Sequence, residues 1–180
     1  VQNAQIYGNF GMHQSALTMA AVALDEPAAS KEWINFVFKA GGLVSEGAPA
    51  QLSVTGGDVG PALVNTVDRD GWGAESPGYN QLWIDQVAMI ADILDGYHGY
   101  SAVDLYKHPK FKALVKARPS LTMLGSYTPA IGDSGQVGRP GVLGTTPEYV
   151  SSFARYPDPA LAQAAFTLNK NSSAGLYTSI

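Results

Sequence analysis

Asp70-Gly71-Trp72-Gly73-Ala74-Glu75-Ser76-Pro77-Gly78-Tyr79-Asn80, running without a break into residues 81–94, is a glycine-rich polar loop that delivers a tyrosine to the first turn of a long helix. Ser76 is suited to cap that helix, and Pro77 suits its first position, where no intrahelical N–H is needed. Trp83, Val87, Ile90 and Leu94 then fall at i, i+4, i+7 and i+11, the pattern of one buried helical face. The loop gathers two carboxylates (Asp70 and Glu75), the aromatic face of Trp72 and the phenol of Tyr79. That mixture suits a carbohydrate, although an ordinary capped helix with a packing tyrosine uses the same residues.

Outward from this helix, the pattern is helical on both sides. Gly8-Asn9-Phe10-Gly11-Met12-His13-Gln14 leads into residues 15–24, rich in Ala, Leu and Met and free of Gly and Pro. Leu17, Ala20 or Ala21, and Leu24 share a face, which predicts a helix ended by Asp25-Glu26-Pro27. Ser30 is the expected cap of a second helix that buries Trp33, Phe36 and Val37 and stops at Gly41-Gly42. Two helices with so short a connection are expected to pack antiparallel. Residues 43–68, punctuated by Gly47, Pro49, Gly56, Gly57, Gly60 and Pro61, show no period, and long irregular segments in compact domains are commonly functional or mobile.

Beyond Asp95-Gly96, His108-Pro109 opens a helix over 110–117, closed by Arg118-Pro119. A second polar loop, from Ser126 through Pro129-Ala130-Ile131-Gly132-Asp133-Ser134, continues to Gly144. Thr146-Pro147-Glu148 and Asp158-Pro159 each read as a further helix start. Alternating Val/Ile runs are scarce, so an all-α fold of helical hairpins separated by polar, aromatic-bearing loops is expected over 1–180 as one domain.

Composition narrows the function classes. The 180 residues are 46% hydrophobic and 14% charged, enough to bury a core. A net charge of -4 without a basic run argues against nucleic acid, whose phosphates demand clustered cations. There are no cysteines, hence no disulfide and no thiolate metal site. No apolar run approaches the length of about 18 residues needed to cross a membrane, so no membrane partner is expected. The first residue is Val1, and the chain reads as a piece of a longer protein.

Three blocks resemble the helical toroid of the heparinase II/III-like polysaccharide lyases: Gly8 to Gln14 before an Ala-rich helix, Asp70-Gly71 with Glu75-Ser76-Pro77-Gly78-Tyr79, and Pro129 to Ser134. The second is the most specific, and their order and spacing match that family over most of residues 1–150. The resemblance implies an incomplete (α/α) toroid followed by antiparallel β-sheet domains that complete the site. It also implies β-elimination at a uronic acid of an acidic polysaccharide, and a secreted or periplasmic location. In such a reaction the uronate carboxylate is neutralised so that an enolate-like intermediate can form; a base takes the C5 proton and an acid protonates the departing oxygen.

The resemblance puts Tyr79 at the catalytic tyrosine. It puts Asn9 and His13 in the block that supplies the carboxylate-neutralising residue, without deciding between them, and Gln14 beside them as a substrate contact. Glu75 would orient the loop or contact hydroxyls, Asp133 would stand near the cleft, and Trp72 would stack on a sugar ring. Ordinary roles exist for each: Asn9 as a helix cap, His13 as a helix-start histidine, Asp133 as a turn former. His98 and His108 read as structural. Family members take a further catalytic histidine from the sheet region, which this chain does not include. No metal and no cofactor are expected in this segment, since no His/Asp/Glu cluster has ligand spacing. Two rival functions remain: an (α/α)-barrel glycoside hydrolase, with its carboxyl pair drawn from Asp70, Glu75 and Asp133, and a non-catalytic carbohydrate-binding helical domain.

Overall fold

The computed structural model of the protein describes residues 10–41, 55–73, 75–123, 127–132 and 144–176. Seven α-helices run through them: α1 (Met12–Leu24), α2 (Pro27–Phe38), α3 (Val59–Asn65), α4 (Pro77–Leu94), α5 (Pro109–Lys116), α6 (Thr146–Arg155) and α7 (Pro159–Leu168). Short 3-10 turns cover Leu105–Lys107 and Arg118–Leu121. Among the described residues the only β feature is an isolated antiparallel bridge between Met123 and Tyr127. The fold is all-α, as the sequence pattern predicts.

The helix starts follow local chemistry. Proline stands at the first helical position of α2, α4, α5 and α7, where its missing N–H costs nothing. Asp158 accepts the Ala160 N–H at 2.9 Å to cap α7. Thr145 and Glu148 form a capping box on α6, with the Thr145 N–H donating to Glu148 Oε2 at 2.5 Å. The cap of α2 is Glu26 rather than Ser30: its carboxylate accepts the Ala29 N–H at 2.7 Å, one turn earlier than expected. Ser30 instead lies buried inside α2 and donates to the Ala21 carbonyl at 2.7 Å, which ties α2 to α1.

Two buried faces match expectation in part: Ala21 and Val37 are fully buried and Leu17 packs on the core, but other positions differ. α1 buries Gln14, Ser15, Thr18 and Ala21, while Leu24 is 49% exposed. The hydroxyls survive burial because each finds an acceptor: Thr18 Oγ1 donates to Gln14 O at 2.8 Å, and Ser15 Oγ to Gln86 Oε1 on α4 at 2.6 Å. α2 buries Ile34 and Val37 but leaves Trp33 exposed and Phe36 half-buried. Part of the aperiodic 43–68 segment is helical, since α3 contributes Val59, Ala62 and Leu63 to the core. Residues 42–54 lie outside the described residues.

α4 is the axis of the core. Trp83, Ile84, Val87, Ala88, Ile90 and Ala91 pack with Val37 of α2, Val59 and Leu63 of α3, and Phe111, Leu114 and Val115 of α5. Each Ile, Leu or Phe fully buried here contributes about 1.5–3 kcal/mol relative to exposure. Of the four residues predicted to face inward, Trp83, Val87 and Ile90 are fully buried and Leu94, at the helix end, is half-buried. α6 and α7 pack on one another around Tyr149, Leu161 and Ala165.

Candidate functional site

The loop entering α4 is fixed by polar contacts along its length. Gly71 adopts φ +93°, and a Cβ there would stand 2.2 Å from the Ala113 carbonyl oxygen of α5, so only glycine fits. Lys110 of α5 donates to the carbonyls of Val67 at 2.6 Å and Asp68 at 3.1 Å. Asp68 Oδ1 accepts the N–H groups of Asp70 at 2.8 Å and Trp72 at 3.0 Å, a turn closed by the side chain. Trp72 Nε1 donates to Ser120 Oγ at 3.1 Å, and the fully buried Asn80 accepts the Gly73 N–H at 3.0 Å.

Two other segments singled out in the sequence meet this end of α4. The Phe10 ring lies 6.1 Å from that of Trp83, centroid to centroid. Gly11 adopts φ +97° against Gln86, where a Cβ would come within 2.6 Å of the Gln86 Cβ. Gly132 lies against Ser76, its Cβ position 3.0 Å from that of the serine. On this frame Tyr79 is 41% exposed, His13 and Asp70 are exposed, and Trp72 and Glu75 are half-buried. Gln14 points inward: its amide accepts the Gly11 N–H at 3.0 Å and donates to the Gly57 carbonyl at 2.9 Å. Asn9 and Asp133 lie outside the described residues.

A buried arginine that sequence reasoning missed holds this end of α4 to α6. Arg118, 2% exposed, donates to Gln81 and Asp85 of α4 and to Ser152 Oγ of α6, the last at 2.9 Å. Burial raises the Asp85 carboxyl above its ordinary value; Arg118 lowers it only in part, and Glu148 adds repulsion. In sequence Arg118 reads only as the end of a helix, because its partners stand 33 to 37 positions away.

At the other end of α4 a cleft of about 830 Å³ opens against Tyr106, α6 and the turn after α7. Asp92 on its floor accepts hydrogen bonds from Tyr106 and through both oxygens from Arg155, Nε to Oδ1 being 3.0 Å. Burial alone would raise the Asp92 carboxyl, but the bonds from Arg155 and Tyr106 hold it below its ordinary value. Burial, and then the Asp92 carboxylate, push the Tyr106 phenol up to about 12. Asp92 is therefore ionised and Tyr106 protonated at neutral pH. No sequence motif marks this group, since Asp92 and Arg155 are 63 positions apart.

The two histidines beyond the motif blocks line neither the α4 entry loop nor the 830 Å³ cleft. His98 is exposed, and His108 is the half-buried residue preceding α5, its imidazole pushed down by burial and by Lys110. Among the described residues no three His, Asp or Glu side chains stand close enough to share a metal ion, and no helix is long and apolar enough to cross a membrane. Compared with protein-family models, curated proteins and solved structures, the chain matches none.

Proposed function

We propose that the chain is the helical part of a heparinase II/III-like polysaccharide lyase that cleaves a uronate-containing polysaccharide by β-elimination. In this reading the helices belong to an incomplete (α/α) toroid, and β-sheet domains of the same secreted or periplasmic protein complete the site. The observation that carries the proposal is convergence: Phe10 and Gly11, the 70–80 loop, and Gly132 come from three distant segments and pack along one stretch of chain between Ser76 and Gln86. A structural helix start alone needs no such meeting. The exposed Tyr79 is free to reach a polymer, and its loop is fixed, which a proton donor or acceptor requires for repeatable alignment.

Tyr79 acts as general acid and base, and Asn9 or His13 neutralises the uronate carboxylate as negative charge spreads from C5. Trp72 and Glu75, with Asp133, contact the sugar rings. Gln14 supports the site from behind by holding Gly11, the residue from which α1 and His13 start. The rival hydrolase needs one carboxyl group that is protonated at working pH. Its pair would come from Asp70, Glu75 and Asp133, and the product of the reaction separates it from the lyase.

The experiment is ultraviolet detection of unsaturated product from the full-length protein on a panel of uronate polysaccharides: heparan sulfate, alginate, hyaluronan, chondroitin and ulvan. The expected result is absorbance from one polymer, reduced about 10²–10⁴-fold in Tyr79→Phe. New reducing ends without absorbance would replace the lyase by a hydrolase. Tight binding with neither signal would leave a binding domain.

A further inference from the structure

The cleft at the C-terminal end of α4 has no part in the reaction proposed at Tyr79. Its volume, about 830 Å³, lies within the range of about 300–1,000 Å³ common to small-molecule sites. Its floor is rigid. Asp92 is gripped by Arg155 and by Tyr106, and the Tyr106 ring stands edge-on to Phe111 at 5.8 Å and tilted over Tyr156 at 6.0 Å. Tyr156 in turn donates to the Tyr106 carbonyl at 2.9 Å.

The charge pattern selects the ligand class. Arg155 and Asp92 cancel, while Asp95 on the rim has no cation against it among the described residues, so an anionic ligand meets net repulsion. A cation would find only the solvated Asp95. What the walls do offer is donors and acceptors side by side: the Ser151 and Thr146 hydroxyls, the Asp95 carboxylate and the Arg155 guanidinium. Val150, Ala154 and Leu176 add an apolar wall. Hydroxyl groups that both donate and accept, mounted on a ring with a C–H face, match that lining.

We infer that this cleft is a binding site for a neutral saccharide, formed by Asp95, Arg155, Ser151 and Thr146 against the Val150–Ala154–Leu176 wall. The inference does not depend on the reaction at Tyr79.

The test is an amide-resonance titration of the isotope-labelled 180-residue chain with cellotetraose, mannotetraose and laminaritetraose, beside trigalacturonate and spermidine. The expected result is saturable shifts at Ser151, Ala154, Arg155 and Gly175 with at least one neutral tetrasaccharide and with neither charged probe. Ser151→Trp, at an exposed position of α6, fills the cleft and weakens those shifts at least tenfold; Asp95→Ala weakens them several-fold and serves if the tryptophan variant does not fold. Tyr79→Phe leaves them unchanged, which separates this site from the lyase reading. The inference is overturned if no neutral tetrasaccharide shifts these amides at millimolar concentration, if either charged probe shifts them instead, if the shifts map elsewhere, or if the folded variants bind as the parent does.

Discussion

The two ends of α4 are built on opposite plans. At the N-terminal end Tyr79 is exposed, as is His13 at the start of α1, and buried polar groups (Asn80, Gln14 and Arg118) tie the neighbouring segments together. At the C-terminal end a charged cluster lines a true concavity, and its members neutralise one another. The first end is rich in local sequence signals. The second has walls and no sequence signal. A segment recognised by residue type and a cleft recognised by shape are different findings, and one helix carries one of each.

Substitutions can break that contrast, beginning with the frame both ends share. Trp83→Ala empties the centre of the core beneath Phe10 and should cost about 3–5 kcal/mol in urea unfolding. Both ends should loosen together; a loss confined to one end would show that they are independent. Arg118→Ala leaves Gln81, Ser152 and the raised carboxyl of Asp85 without their donor. A cost of about 2–4 kcal/mol is expected, below the upper range for buried pairs because Asp85 can rehydrate. Urea midpoints of Arg118→Ala and Arg118→Lys would check it, with lysine recovering little because it lacks the planar fork.

Gly71→Ala sharpens the contrast, since it acts at one end only. Its Cβ meets the Ala113 carbonyl and its φ is strained, a cost of about 1–3 kcal/mol by thermal unfolding. Product absorbance should fall, while saccharide shifts at Ser151 should stay as they are.

Asp92→Asn acts at the other end, with a pH signature. Arg155 and Tyr106 lower the Asp92 carboxyl in the folded state, so its stabilisation is fully present above the unfolded value of about 4. It is lost as pH falls through the lower folded value. Because the carboxylate is partly exposed, the gap between parent and Asp92→Asn should be about 0.2–1 kcal/mol at pH 7. Unfolding curves from pH 7 to pH 2 should show that gap closing only below about pH 4. Tyr79→Phe should have the smallest effect on stability, within about 0.5 kcal/mol, because the ring is 41% exposed. A larger loss would make Tyr79 a packing residue and undercut its catalytic role.

How much was legible follows the range of the forces involved. The starts of α4, α5, α6 and α7 are readable because a proline in the first turn marks each, joined at α6 and α7 by a side-chain cap. The inward face of α4 is readable because bulky apolar residues repeat at helical spacing and have nowhere else to go. The inward face of α1 is readable in part: Ala21 is buried and Leu17 packs on the core as hydrophobicity predicts, whereas Leu24 is exposed and the polar Ser15 and Thr18 are buried against α2 and α4. α3 is hidden among glycines and Pro61, although proline in a first helical turn breaks nothing.

The sequence by itself therefore determined an all-α chain and most of its helix starts, since these rest on chemistry between near neighbours. The tertiary structure alone decided that Gln14 turns inward to Gly57, that Arg118 joins α4 to α6, and that Asp92, Tyr106 and Arg155 share a cleft. A carboxylate's partner many positions away is chosen by how helices pack, and a chain read in order contains no measure of that distance.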